Sequence, residues 1–376
     1  MSEASRPATN SGLARVAGAR HLSPEQVQAF GEEVRRIGKS VMDDLGERDE
    51  RYFRRLLMAH KVAEISGRVI IFCGILYPAL FVVGALVLAL AKILDNMEIG
   101  HNVLHGQWNW LRDPKIHSST WEWDGVCPAR QWQRSHNVIH HKWTNVIGRD
   151  RDFGYEALRV SERQPWKPFH LFQPVTNLMM ALFFNWGVAI HDDELADWRS
   201  GKRSKESVQP KLRELRNKIL RSLGKDYILF PLLAGPYFLS VFLANLAANL
   251  IRNLWAYAVI FCGHFSDDVE DFEEADIENE DKNGWYIRQI LGSANIECRP
   301  WMHLLSGHLS CQIEHHLFPA MPSSRYQEIA PQVRALCEKY GIRYNSRPLS
   351  KQLFSVWRKI FRYALPPRRG ANAETA

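Results

Sequence analysis

Three histidine clusters punctuate the sequence: His101-Asn-Val-Leu-His105, His136-Asn-Val-Ile-His140-His141 and Gln312-Ile-Glu-His315-His316. On a helix, residues i and i+4 lie on one face, one turn apart. Two imidazoles so placed can converge on a single metal ion. The adjacent His141 points about 100° further round the helix, toward a different ion or the other side of the same site. Gln312 and His316 repeat the i, i+4 geometry, with His315 beside them. Seven clustered histidines exceed what one tetrahedral zinc needs, so the arithmetic suggests two ions. Imidazole suits zinc, copper, iron and nickel alike, and the spacing alone does not name the metal. A lone HxxxH pair or a lone doubled histidine is weak, because such pairs occur by chance on solvated helices. Three clusters brought to one face of the molecule form a strong signal.

The elements that must position these clusters are apolar. Hydrophobic residues make up 46% of the 376 residues and charged residues 24%. The mean hydropathy of −0.29 excludes a mostly lipid-embedded chain, though not a few spans beneath a large polar head. Val69 to Ala91 is 23 residues without a charge. At 1.5 Å per residue that run crosses a bilayer core of roughly 30 Å. A second apolar zone runs from Tyr227 to Ser266, interrupted only by Arg252 and broken at Gly235-Pro236. Lysines and arginines flank both zones on both sides, with ten of them between Arg199 and Lys225. Short basic loops stay on the cytoplasmic side. Each zone should therefore cross twice or not at all, and each reads as a hairpin.

These considerations predict an all-α polytopic membrane protein with two transmembrane hairpins, about four spans, and a cytoplasmic helical cap holding a di-metal site. The first hairpin is expected over Val62–Tyr77 and Ala79–Ile99, with Pro78 near the bend; a single span is the alternative. The second occupies about 227–265, its bend at Gly235-Pro236 or nearer Asn245. Phe169 to Ile190 is apolar but carries His170, Gln173, Asn177 and Asn185, and reads as an interfacial helix lying on the membrane. Both hairpins return the chain to the same side, so all three clusters meet at the cytoplasmic membrane surface. The domain reading is a soluble N-terminal segment over 1–61, the catalytic domain over 62–340 and a basic tail over 341–376. Within the first, Ser23 to Lys39 has a helical pattern, with Ser23 as its cap. Met1 to Gly12 is polar, with no apolar core of a signal peptide.

Other features narrow the function. Six cysteines form no CxxC pair, which fits a reducing compartment and argues against an iron–sulfur or cysteine–zinc site. The net charge is +7, but no arginine-rich helix with interleaved aromatics suggests nucleic acid. Ten acidic residues between Asp267 and Asp281 read as a solvated loop or a docking patch for a basic partner.

The three clusters resemble the histidine boxes of the membrane fatty-acid desaturases. The third, within Gly307-His308-Leu309-Ser310-Cys311-Gln312-Ile313-Glu314-His315-His316-Leu317-Phe318-Pro319, is similar to the QxxHH variant of the front-end branch and of bacterial acyl-CoA desaturases. Asn96-Met-Glu-Ile-Gly-His101 and Phe261-Cys-Gly-His264 fit the bacterial branch too, and the likeness covers roughly Glu64 to Tyr340. The resemblance implies two irons that activate dioxygen and remove two hydrogens from an acyl chain. It makes His101, His105, His136, His140, His141, His315 and His316 iron ligands, with His264 a further one at the end of the last membrane helix. Gln312 stands where other branches have histidine; it binds weakly or through water, or orients a neighbour, and His308 could compensate. Glu98, Asp150, Asp152 and Glu314 are candidates to hold the outer nitrogens of the ligand imidazoles. His21, His60, His117, His170, His191 and His303 lie outside the box spacing and read as structural.

The implied partners are O2, membrane lipids, and an acyl chain carried on coenzyme A or on a lipid. The basic blocks lean toward the anionic coenzyme. No cysteine pattern for an iron–sulfur cluster and no GxGxxG fingerprint is present, so the electrons should come from an external ferredoxin or NAD(P)H-dependent reductase. The implied location is a bacterial cytoplasmic membrane. Two competing readings are a membrane hydroxylase of lipids or carotenoids, and a histidine-rich metal transporter. The clusters sit beyond the apolar zones, which counts against transport, because transporters hold their sites near the bilayer midplane.

Overall fold

The computed structural model describes residues 10–367. Residues 1–9 and 368–376 lie outside it, and with them most of the polar N-terminus and the end of the basic tail. The described chain is mostly helical, and its β-structure consists of two three-residue strands and one isolated bridge.

Helix α1 (Pro24–Asp43) starts at a capping box, with Ser23 Oγ accepting from the Gln26 N–H and the Gln26 side chain accepting from the Ser23 N–H. Helix α2 (Glu47–Cys73) and helix α3 (Ala79–Ile93) form an antiparallel hairpin whose turn holds Pro78. Their backbones touch because two glycines face across. A Cβ on Gly67 would lie 2.8 Å from the Leu88 nitrogen, and one on Gly84 would lie 2.6 Å from the Ile71 nitrogen. Small residues at such crossings exchange side-chain volume for close backbone packing.

After a short α4 (Gln173–Leu182) and α5 (Phe184–Ile190), helix α6 (Lys205–Leu223) continues through a π-helical segment, Gly224–Leu229, to Leu233. The chain turns at Gly235 (φ +56°) and returns as α7 (Phe238–His264). The bend left open between Gly235-Pro236 and Asn245 thus falls at the former, and Asn245 is interior to α7. Two stretches, Ala79–Leu104 and Gly235–His264, are long and apolar enough to cross a membrane. Their hairpin partners are not comparably apolar: Glu64 and Arg68 interrupt α2, and Lys225 and Asp226 interrupt the other. The region read as one interfacial helix is broken at Phe183 into α4 and α5. Phe172, Val175, Met179 and Phe183 recur on the exposed side at helical spacing.

The remaining helices pack around these. Val27, Phe30 and Val34 of α1 share a core with α8 (Lys282–Leu291), α9 (Gln312–Leu317) and α10 (Tyr326–Tyr340). The N-terminal helix is therefore packed into this core. The stretch after Tyr340 is ordered into a strand and a helix as far as Ala364. Strand β2 (Ser346–Pro348) pairs in parallel with β1 (Asn295–Glu297), and α11 (Leu349–Ala364) buries Val356 and Ile360 in the core that holds Phe261 and Phe265.

The acidic stretch from Asp267 is pinned as well. Arg149 reaches Glu274 at 2.8 Å, Arg163 reaches Asp276 at 2.8 Å, and Arg288 reaches Glu280 at 2.6 Å. Arg358 and Arg347 pair with Asp267 and Asp268. Most of its carboxylates are therefore paired with arginines of this chain.

Candidate metal centre

The first and second boxes emerge from helices of unusual winding. Leu94–His101 and Gln133–His140 are π-helical, each closing on a box histidine. A π-turn bonds i to i+5 and so holds one residue more per turn than an α-turn, a device that recurs at functional sites. Its effect is visible in the second box. The rings of His136, His140 and His141 all lie within 5.5 Å of one another, centroid to centroid. The wide turn narrows the angular spread that α-helical geometry assigns to His141.

The third box is brought onto the first by Gly307. Its φ is +66°, and a Cβ there would lie 2.3 Å from the Met97 carbonyl oxygen. Glycine alone fits both the left-handed backbone and the contact. From there the chain turns into α9, which carries Gln312, His315 and His316 with almost no exposure. His264 arrives as the last residue of α7.

Two principal groups result. His101, His105, His136 and His315 form one, with one ligand nitrogen from each within 4.8 Å of the others. His140, His264 and His316 form the second by the same measure, and His141 joins His315 and His316 between them. The outer nitrogens are held by the protein. His140 donates Nδ1–H to Asp150 at 3.0 Å, His101 to the Asn102 amide oxygen at 2.9 Å and His316 to the Gln289 amide oxygen at 2.8 Å. His136 Nδ1 faces Asp152 at 3.6 Å, and His264 Nδ1–H points at the Gly292 carbonyl at 3.4 Å. With Nδ1 protonated and outward, Nε2 is left as an inward lone pair, the arrangement that orients metal-bound imidazoles.

Several inward atoms have no hydrogen-bond partner among the described residues. His105 Nε2, His136 Nε2, His315 Nε2, both nitrogens of His141 and the Gln312 amide oxygen are buried without a hydrogen bond. His264 Nε2 and His316 Nε2 face each other at 3.2 Å, a contact of two lone pairs unless a proton or cation lies between them. Buried polar groups are otherwise almost always satisfied. This set of orphaned donors fits bound metal. Electrostatics agree: burial, then the neighbouring imidazoles, holds His105, His141, His315 and His316 well below the usual histidine range. They are neutral at pH 7, the form that binds a metal. Burial also opposes protonation of His140, but the Asp150 carboxylate, followed by Asp152, outweighs it.

Several expected residues fall elsewhere. His308 adopts a left-handed φ of 56° and donates Nδ1–H to Glu98 at 2.9 Å, so it joins neither imidazole group. Gln312 lies beside the second group, its amide nitrogen 2.9 Å from His264 Nε2. Of the four carboxylates expected behind the ligands, Asp150 and Asp152 reach box histidines. Glu98 instead binds Tyr52, Ser323 and His308, and Glu314 binds Asn295 and Tyr344. Three further contributors were not evident from spacing. Gln289 holds His316, the Tyr326 hydroxyl lies 3.4 Å from His315 Nδ1, and His191 lies 3.4 Å from the far oxygen of Asp152. Only Asn102, inside its own box, carried a local signal.

A cavity adjoins these groups. His101, His136, His140, His264 and Gln312 line one end, and its walls include Trp123, Trp132, Phe184, Val188 and Ile260. The arrangement can hold two cations next to a mostly apolar chamber.

A family model described as fatty acid desaturase matches residues 77–348. The chain is 43% identical over 352 residues to the NADPH-dependent stearoyl-CoA 9-desaturase of Mycobacterium tuberculosis, covering 93% of this chain and 82% of the relative. It is 25% identical over 295 residues to the sn-1 linoleoyl-lipid 6-desaturase of Synechocystis sp., covering 75% and 79%. A shorter match of 85 residues, 39% identical, is to Fatty acid desaturase 3 of Bos taurus, covering 23% of this chain and 19% of the relative.

Proposed function

The chain belongs to the fatty acid desaturase family, and from that premise we propose that it places a cis double bond in a long saturated acyl chain carried on coenzyme A. The observation that carries this reading is the pair of inward-facing imidazole groups at one end of an apolar cavity. The M. tuberculosis relative, a stearoyl-CoA 9-desaturase by name, favours the coenzyme carrier over a lipid carrier. His101, His105, His136 and His315 would hold one iron and His140, His264 and His316 the other, with His141 between them. Bound iron would supply the dioxygen-dependent hydrogen abstraction that an unactivated methylene requires and that side-chain acids and bases cannot perform.

The protein's own part is positional. Asp150 and Asn102 fix the rings of His140 and His101, so the cage changes little during turnover. Trp132 stacks on His136, with ring centroids 4.4 Å apart, and keeps water from that side of the cage. The apolar walls orient the acyl chain so that only certain carbons reach the imidazole end. On this reading the two apolar helices cross a bacterial cytoplasmic membrane with the site on the cytoplasmic side, and the electrons come from a separate NAD(P)H-linked donor.

The test is expression in a host lacking desaturases, followed by mass spectrometry of derivatised fatty acids. A new mono-olefin, at carbon 9 of the stearoyl chain, is expected. It should disappear in His140→Ala and persist in His117→Ala. A hydroxylated product, or none, would refute the proposal.

A further inference from the structure

Midway along α7, Arg252 is only 5% exposed, yet among the described residues its hydrogen bonds go to two amides and to no carboxylate. Nε donates to the Asn253 side-chain oxygen at 3.0 Å and Nη2 to that of Asn249 at 3.2 Å. Asn249 links it to the Asp226 carboxylate without direct contact, and a buried charge among apolar spans marks function by default.

What lies on either side of it indicates that function. Behind Arg252 is a closed ionic knot. Asp226, 1% exposed, accepts from Lys92 at 2.7 Å, Arg68 at 3.3 Å and Asn249 at 3.1 Å, tying α2, α3, the 224–229 turn and α7 together. In front of it is the cavity. Arg252, Ala256, Ile260 and His264 recur every fourth residue on one face of α7, and all four line that space. Twelve residues at 1.5 Å make this face about 18 Å long. The chamber therefore has metal-binding imidazoles at one end, aliphatic and aromatic walls between, and a fixed guanidinium at the other.

We propose that Arg252, clamped by Asn249 and Asn253, is the floor of the acyl cavity and determines the longest chain the protein accepts. This rests on the reading of the cavity as the acyl site. The methyl end of a fitting chain stops at the floor. A chain one or two methylenes longer must dislodge the guanidinium from its two amides, leaving buried polar groups unpaired. A shorter chain only forgoes contact. The length profile should therefore fall more steeply on the long side than on the short side, where one methylene of lost contact is worth about fourfold.

The experiment uses the full chain in a desaturase-free host fed saturated acids of graded length, with product lengths read by mass spectrometry. Arg252→Ala should move the upper limit to longer chains, raising the longest accepted product relative to the optimum by at least about tenfold. Ala256→Phe, one turn nearer the imidazoles, should move the optimum to shorter chains. If Arg252→Ala does not accumulate, Arg252→Lys carries the test, with a smaller shift in the same direction. Thermal stabilisation of the solubilised protein by saturated acyl-CoAs of graded length provides a readout that needs no turnover, and its limit should shift likewise. An unchanged upper limit in the Arg252 variants, with Ala256→Phe still shortening the profile, would overturn the proposal. Length-limited stabilisation without any olefin from the unaltered chain would support the floor and refute the desaturase reading.

Discussion

At the scale of single residues, Asp150 shows how little freedom a box imidazole is left. One carboxylate takes the His140 ring at 3.0 Å, the Asn145 N–H at 2.8 Å and the Asp152 N–H at 3.0 Å. The turn after the second box is thus folded around the group that orients the ring. Asp150→Ala should reduce iron affinity about 10–100-fold, the usual cost of losing a partner behind a ligand. Iron retained per chain after dialysis against a graded chelator measures it. His117, whose ring nitrogen meets only the neighbouring Ser119, is the contrast, and His117→Ala should retain iron as the unaltered chain does. Equal losses in both variants would remove the special status of the second box.

At the scale of elements, the long helices matter because they bring histidines from distant segments to one level. The α2–α3 hairpin does so through its glycine crossing. Gly84→Leu would drive a side chain into the backbone of α2, where even a Cβ meets the Ile71 nitrogen at 2.6 Å. Overpacking of this kind costs about 1–3 kcal/mol, and here the displaced atoms are main-chain atoms that do not repack. A lower midpoint in thermal unfolding of the solubilised protein is expected. Gly224→Ala, with nothing within 4 Å of the added carbon, should leave the midpoint unmoved. The π-helical segments are the second positioning device. They set the azimuth of His101 and of the His136–His141 cluster, which an α-helix of the same sequence would fan out.

At the scale of the whole molecule, the imidazole groups predict metal content. Iron-supplemented expression should yield two irons per chain, because the inward nitrogens divide into two principal groups. One tightly bound zinc and no iron would contradict the assignment. The same scale governs electron supply. Purified protein with acyl-CoA, O2 and NAD(P)H should make no product until a reductase system is added, since no cysteine pattern for an iron–sulfur cluster and no dinucleotide fingerprint occurs in the 376 residues. Sustained turnover without a donor would reveal a redox site that these motifs do not represent.

The sequence by itself determined the histidine clusters and their spacing, the first helical hairpin and the family resemblance, because each depends on neighbours within one or two helical turns. Imidazoles four apart, a charge-free run and a proline at its bend are local facts, and local geometry follows from them. Tertiary structure decided the rest. Which histidines share an ion position depends on how the segments carrying the boxes cross, and the spacing of each box is silent on that. His308 looked like one more imidazole beside the third box, yet a left-handed residue turns it toward Glu98. Gln289 and Tyr326 carry no local signal, being brought behind His316 and His315 only by the packing of α8 and α10. Arg252 read as an interruption in an apolar zone. Its place on the wall of a cavity follows from helix packing, which the residues around it in the chain do not specify.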